Sequence, residues 1–221
     1  MLDRFLIGQQ YRPIELRLAE MRTDLSVERT AEGIMPTPLG NWNIVSYRDK
    51  CDNEEHIAIY QGDIASPEPL LTRLHSSCVT AEVFGAVNCD CKEQMEQAMQ
   101  TIAGVGRGLI VYLHQEGRGN GLAGKLLQLR VMMTEDVDTV AAFEMTGQHG
   151  ERRDYTSGAD IYKDLGIIAP LRLMSHNPGK IEGLRSAGFV VTPESFNVAM
   201  NSSITMRDIV AKKEKLGHIY P

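Results

Sequence analysis

The chain of 221 residues suits one large domain or two small ones, and its 43% hydrophobic content is ordinary for a folded core in water. A net charge of −6 works against holding a nucleic-acid backbone, which needs phosphates neutralised by Lys and Arg, and a 6% aromatic share is thin for stacking on single strands. A single nucleotide stays compatible, because a local basic pocket can hold a compact anion in an acidic protein. No apolar run approaches the roughly 18 residues of a membrane helix, and the start MLDRFLIGQQYRP lacks a secretory pattern. With four cysteines, three of them clustered, a reducing compartment is expected, and the protein reads as cytoplasmic.

Residues 1–34 read as a helical accessory segment, with a helix opening near Pro13 (PIELRLAEMRTDL), and residues 35–221 as the main domain. MPTPLGN supplies turn residues from Met35, and Trp42 to Tyr47 alternates like a strand. His56 to Tyr60 and Leu70 to His75 are further expected strands. The second runs into RLHSSCVTAEVFGAVNCDC, which holds Cys78, Cys89 and Cys91. In extended backbone a C-x-C pair points both sulfurs to one face, and zinc needs three or four ligands, so Cys78 is the natural third. His75 could close the set as a Cys3His structural site, and without it the site is open and catalytic. Buried inert thiols are the bland reading, a poor one for three cysteines within fourteen residues. Cys51, in a polar stretch, reads as unrelated.

Glu93 to Ala103 has helical spacing and is stopped by Gly104-Val105-Gly106. Leu109 to Leu113 reads as a buried strand, followed by HQEGRGNGLAGK and a helix over Leu122 to Met133. Gly119, Gly121 and Gly124 match G-x-G-x-x-G, but no acidic ribose partner follows, and Leu126 stands where a P-loop needs Ser or Thr. What survives is an anion approach to a glycine-rich helix start, with Arg118 and Lys125 beside it. The H-x-E of His114 to Glu116 lacks the P-C-x-x-C of nucleobase deaminases, while the Glu116 carboxylate suits the donors of a guanine edge. GERRDY at Gly150 to Tyr155 reads alone as a solvated charge run. Ala159 to Leu165 is an expected helix, Leu171 to Ser175 a strand, Pro178 to Ala187 a helix and Phe189 to Thr192 a strand. This βαβ arrangement puts SHNPGK at a strand's carboxyl end, making Lys180 a candidate phosphate contact. The basic tail AKKEKLGHIYP is expected to fray.

Taken together, PTPLG, the GDI at Gly62 to Ile64, RLHSSC with CDC, HQEGRG, DTV at Asp138 to Val140, RRDY and the NP-x-K of Asn177 to Lys180 resemble the GTP cyclohydrolase II family, in one order at similar spacing. The resemblance spans about Met35 to Gly217. It implies an α/β fold, a mixed sheet flanked by helices, and a homodimer opening the imidazole ring of GTP at C8 with loss of formate and pyrophosphate, in riboflavin synthesis. It implies a catalytic Zn²⁺ on Cys78, Cys89 and Cys91 with an open position for water, and Mg²⁺ on the triphosphate. By the same resemblance Arg73, Leu74, His75, Ser76, Ser77, Gln94, Glu116, Gly117, Arg118, Thr139, Ser175 and Lys180 contact the nucleotide. Arg153 then attacks or electrostatically stabilises the α-phosphorus, the second role being as good because guanidinium is always protonated. Glu151 stands where the family's proton-accepting Asp is usual. Ser77 replaces an acid before the first cysteine. Leu129 replaces a tyrosine eleven residues past the arginine of EGR, removing a phenol that could relay a proton. Two alternatives follow: a homologue that stops at a ring-opened formamidopyrimidine nucleotide or uses another purine nucleotide, and a non-catalytic, zinc-stabilised nucleotide binder. No nucleic-acid or membrane partner is expected.

Overall fold

The computed structural model describes residues 24–195 and 203–218. The helix expected near Pro13 falls almost wholly outside them. Seven strands form one mixed sheet: β1 (Val27–Thr37), β2 (Gly40–Asp49), β3 (Glu55–Gln61), β4 (Leu70–Ser76), β5 (Gly108–Leu113), β6 (Leu171–Met174) and β7 (Val191–Glu194). Their order is β1-β2-β3-β5-β4-β6-β7. Pairing is antiparallel from β1 to β5 and parallel from β5 through β4 and β6 to β7. The helices are α1 (Val79–Glu82), α2 (Cys91–Val105), α3 (Gly121–Glu135), α4 (Thr139–Met145), α5 (Thr156–Asp164), α6 (Pro178–Ser186) and α7 (Ser203–Leu216). The fold is thus the expected mixed α/β sheet flanked by helices. None of the described helices is long and apolar enough to cross a membrane.

Residue 34, where the accessory segment was expected to end, lies inside β1. This strand escaped the sequence reading because it is exposed along most of its length and mixes charges with small residues, so no buried face imposes alternation. Its pairing with β2 and the Arg29 contact to Asp164, at 2.7 Å, tie it down instead. The tail is corrected: through Leu216 it is helical and docked, as α7.

Strand β4 is buried at all seven positions, and its two-residue period divides the work. Leu70 and Leu74 enter the main core with Ala159, Ile161, Ile181 and Leu184 of α5 and α6, and Thr72 bonds Tyr162 of α5. Leu71 faces the opposite core, with Trp42, Ile110 and the α2 residues Ala98 and Ile102. Burying each such Leu or Ile contributes roughly 1.5–3 kcal/mol. Arg73 and His75 share the parity of Leu71, so the α2 side of the sheet turns polar as the strand nears its carboxyl end. Packing there is close: a Cβ on Gly108 would lie 2.8 Å from the Leu71 carbonyl oxygen and 2.7 Å from Ile102, which only glycine avoids.

Candidate active site

Parallel strands β4, β5 and β6 end on one edge of the sheet, where open α/β sheets bind ligands. Beyond them lies a cleft of about 920 Å³, open mouth included. Of the residues singled out in the sequence, Arg73, His75, Ser76, Ser77, Cys78, Cys89, Cys91, Gln94, Glu116, Gly117, Arg118, Thr139, Arg153, Ser175 and Lys180 line it. Leu74 does not. Its side chain is fully buried in the main core, and only its carbonyl serves the site, by accepting from Lys180 Nζ at 2.8 Å. Glu151 is not part of the lining either, and is bound to Arg153.

The three sulfurs lie within 4.8 Å of one another, and no other group of His, Cys, Asp or Glu among the described residues gathers in this way. Cys78 and Cys89 are 3.6 Å apart. The extended C-x-C geometry is corrected: Cys91 is the first residue of α2 and Asp90 its N-cap, with φ −103° and ψ 16°. A turn into a helix, rather than a strand, brings the two sulfurs together. Hydrogen bonds from Cys89 and Cys91 pull the Cys78 thiol well below its ordinary range, and Lys125 Nζ, 2.7 Å away, adds its charge. The bond to that same Cys78 pushes Cys89 up to about 12, and the bonds to Cys78 and Cys89 raise Cys91 well above its ordinary range. One thiolate therefore forms easily and three do not, unless a cation joins them. That donor set fits a thiophilic divalent ion such as zinc.

His75 does not complete it. Arg73 Nε donates to His75 Nδ1 at 2.8 Å, and arginine can only donate, so Nδ1 is the unprotonated nitrogen. The proton sits on Nε2, 2.7 Å from Glu82 Oε1, whose other oxygen accepts from Tyr112 at 2.6 Å. Burial and the Arg73 charge push the imidazole down to about 4, so it is neutral. Both nitrogens are committed to the chain, which removes the Cys3His reading.

Two further expectations change. Lys125, expected beside the glycines to meet an anionic ligand, reaches Cys78 instead and, at 3.1 Å, Glu116 Oε1. Glu116 lines the cleft, but its oxygens already accept from Val79 N at 2.7 Å and Gly117 N at 3.1 Å as well as from Lys125. Arg118 does face the cleft, from a left-handed backbone with φ 56° that costs a non-glycine residue about 1 kcal/mol or more. Next to it Gly119 has φ 81°, and a Cβ there would meet the Arg152 backbone at 3.1 Å. The close approach locks Arg118 to the loop that carries Arg153.

GERRDY divides. Arg152 and Asp154 are exposed as a charge run should be, whereas Arg153 enters the cleft and Tyr155 is buried. Glu151 Oε1 accepts from Arg153 Nε at 2.7 Å, and Oε2 from its Nη2, a bidentate pair. Burial opposes both charges, but the Arg153 pairing holds Glu151 below the ordinary carboxylate range, and Tyr155 and Glu151 hold Arg153 above its own. Asn177 caps α6 by accepting from Gly179 N at 2.8 Å, which fixes Lys180 one turn in. Burial and the nearby Arg153 and Arg73 push the Lys180 ammonium well down, a cationic crowd that an anionic ligand would relieve.

Leu129 is half-buried and off the cleft wall; the side chains α3 sends there are Lys125 and Gln128, the latter donating to Thr139 Oγ1 at 3.1 Å. The sequence reading missed Gln128, although it lies one turn from Lys125 on the same face. It also missed Asp90, and Asp208 and Lys212 of α7, whose partners lie far along the chain.

Residues 28–195 match the family model described as GTP cyclohydrolase II. A riboflavin biosynthesis protein RibBA of Phocaeicola vulgatus is 38% identical over 198 residues, covering 90% of this chain and 48% of the relative. One of Bacillus cereus is 41% identical over 194 residues, covering 87% and 48%. The chain thus spans about half the length of these relatives. The crystal structure of RibBX, a two-domain 3,4-dihydroxy-2-butanone 4-phosphate synthase from A. baumannii, is 18% identical with a TM-score of 0.45, over 79% of this chain and 42% of that one. That likeness is too slight to carry further weight.

Proposed function

The chain belongs to the GTP cyclohydrolase II family, and from that premise we propose that it is a zinc-dependent hydrolase that opens the imidazole ring of GTP at C8, releasing formate and pyrophosphate in riboflavin biosynthesis. The observation that carries the proposal is the trio of sulfurs within 4.8 Å, set in a cleft with Arg73, Arg118, Arg153 and Lys180. Cys78, Cys89 and Cys91 would hold the zinc, which supplies Lewis-acid activation of water. A cytoplasmic setting keeps those thiols reduced.

The chain's own residues do the rest. Arg118, Arg153 and Lys180 receive the triphosphate, with Mg²⁺ arriving on the substrate. Arg153, pinned by Glu151 and charged, acts by electrostatic stabilisation of the phosphoryl group rather than by attack. Glu151 in turn orients that guanidinium, which takes precedence over accepting a proton. Ser76 Oγ, buried without a hydrogen-bond partner among the described residues, is available to the nucleotide. His75 holds Arg73 in place and keeps the Glu82 and Tyr112 pair at the cysteine loop. For Glu116 to read the guanine edge, it must exchange Val79 N or Lys125 for the purine's donors. Leu122, Leu126 and Leu127 of α3 are exposed while its inward face is polar, which favours a homodimer that covers them.

Leu129 favours a second reading, in which the same site stops at a ring-opened formamidopyrimidine nucleotide or takes another purine nucleotide, because no phenol is present there to relay a proton. Non-catalytic zinc-stabilised binding is disfavoured by the commitment of both His75 nitrogens. Incubating the zinc-loaded protein with GTP and weighing the products separates these. We expect formate and pyrophosphate in equal amounts from GTP; a product that retains the formyl carbon, or turnover of another purine nucleotide in place of GTP, supports the second reading, and zinc-bound protein that consumes no purine nucleotide defeats both.

A further inference from the structure

Helix α7 begins after the family match has ended at residue 195. Its composition explains how it docks. Asp208 and Lys212 are one turn apart on a face that also buries Thr205, Ile209 and Ala211. Thr205 Oγ1 donates to the Val87 carbonyl at 2.8 Å, just before the second cysteine. Lys212 Nζ lies 3.0 Å from Asp90 Oδ1 and 2.5 Å from Asp208 Oδ2, and Asp208 Oδ1 lies 3.6 Å from Arg118 Nη2.

Asp90 is the hinge of this arrangement. It stands between Cys89 and Cys91 with 0% exposure, so its charge needs compensation from inside the protein. Lys212 supplies that charge. Asp90 Oδ2 accepts from Gln94 Nε2 at 2.6 Å, which commits the amide nitrogen and leaves Gln94 Oε1 to accept from Arg73 Nη2 at 2.5 Å. Hydrogen bonds therefore run from Arg73 through Gln94 and Asp90 to Lys212, and the ion pairs of Asp208 with Lys212 and Arg118 carry the line on round the cleft.

We propose that Lys212 is a positioning residue for the reaction: acting through Asp90, it sets the turn that carries Cys89 and Cys91 and the Gln94 amide that aims Arg73, so that α7 is a working wall of the site. The proposal rests on the functional reading of the cleft given above. It requires no contact between Lys212 and the substrate. Groups that orient metal ligands from behind typically matter by about 10- to 100-fold in metal affinity or activity.

The test uses the full chain with Lys212→Met, Lys212→Gln, Lys212→Arg, Asp90→Asn and the double variant Asp90→Asn with Lys212→Met. Zinc affinity by chelator competition, and KM and kcat for GTP, are read for each. Lys212→Met is expected to weaken zinc binding and raise KM by about tenfold each, and Lys212→Arg to stay within about threefold of wild type. In the Asp90→Asn background Lys212→Met should add less than about twofold, since its partner is gone. Should Lys212→Met fail to fold, Lys212→Gln is read in its place with the same expectation. An equal loss in both backgrounds, or zinc affinity and KM within about twofold of wild type, overturns the positioning role. Wild-type protein that binds neither zinc nor GTP overturns the reading of the cleft itself.

Discussion

The cysteine corner and the α7 wall meet at the same carboxylate, Asp90, but are built by opposite means. At the corner three sulfurs come from fourteen consecutive residues, gathered by the short helix α1, the loop after it and the start of α2. At the wall, Lys212 reaches Asp90 from 122 residues along the chain. A ligand set can be local because its chemistry lies in the residue type. A frame that aims the ligands has to brace them from outside the turn, and its residues are ordinary lysines and aspartates whose meaning lies only in whom they meet.

The sharpest way to break this contrast is at the corner. Cys91→Ser removes one of three sulfurs that form the one such cluster among the described residues, and His75 is committed elsewhere. We expect zinc content to fall to a small fraction and turnover to drop by more than about 100-fold, beyond the range expected for groups that merely orient ligands. Zinc analysis and steady-state turnover of the purified variant check this. A variant that kept its zinc and most of its turnover would show that the corner is not the metal site, and the contrast with α7 would collapse.

Legibility in the sequence follows the same division. Strand β2 was readable because half-burial imposes a period of two on it, β5 as a short apolar run bounded by glycine, and α2 from its 3.6-residue spacing. β1 was not, having little buried face to impose one. The cysteines were found from type and spacing, yet their geometry was misjudged, since C-x-C reads the same in a strand and at a helix start. Leu74 was inherited from a run of binding residues, whereas strand parity turns its side chain into the core. Lys125 was assigned by proximity to glycines, and only the fold shows that a thiolate and Glu116 claim it. Asp90, Gln128, Asp208 and Lys212 carried no local signal strong enough to single them out.

A second test probes how the corner is supported from the strand side, through pH. An unfolded histidine binds its proton below about 6.5, whereas His75 in the folded protein does so only near about 4. Between those values the unfolded state takes up more protons, so the contribution of His75 is complete above about 6.5 and is lost as pH falls towards 4. The size is roughly 3 kcal/mol over that window. Glu82 has the same sign: although burial opposes its charge, bonds from His75 and Tyr112 hold it low, and that stability is present above the ordinary carboxylate range and lost below it. Denaturant unfolding of wild type and His75→Gln at pH 7, 5.5 and 4.5 should show the variant losing less of its own stability over the interval. Parallel losses in the two proteins would place the acid sensitivity elsewhere, His56, His176 and His218 being the other depressed imidazoles among the described residues.

The smallest effect sharpens the wall. Arg207 also ties α7 down, through Asp136 at the left-handed end of α3, but side chains 43% and 89% exposed leave that pair in water. Exposed pairs of this kind are worth about 0–1 kcal/mol, because solvent screens the attraction and both side chains lose freedom in forming it. Arg207→Ala should therefore shift stability by less than about 1 kcal/mol and leave KM for GTP within about twofold of wild type. Asp90, with no exposure at all, sits in surroundings where losing a partner leaves a charge that water cannot reach. If α7 acts only as a clamp whose total grip matters, Arg207→Ala and Lys212→Met should raise KM in proportion to the stability each removes. If it acts through Asp90, KM should respond to Lys212 alone, because the exposed pair carries no information to the turn between the cysteines. Thermal melts and KM values measured side by side on the two variants decide which.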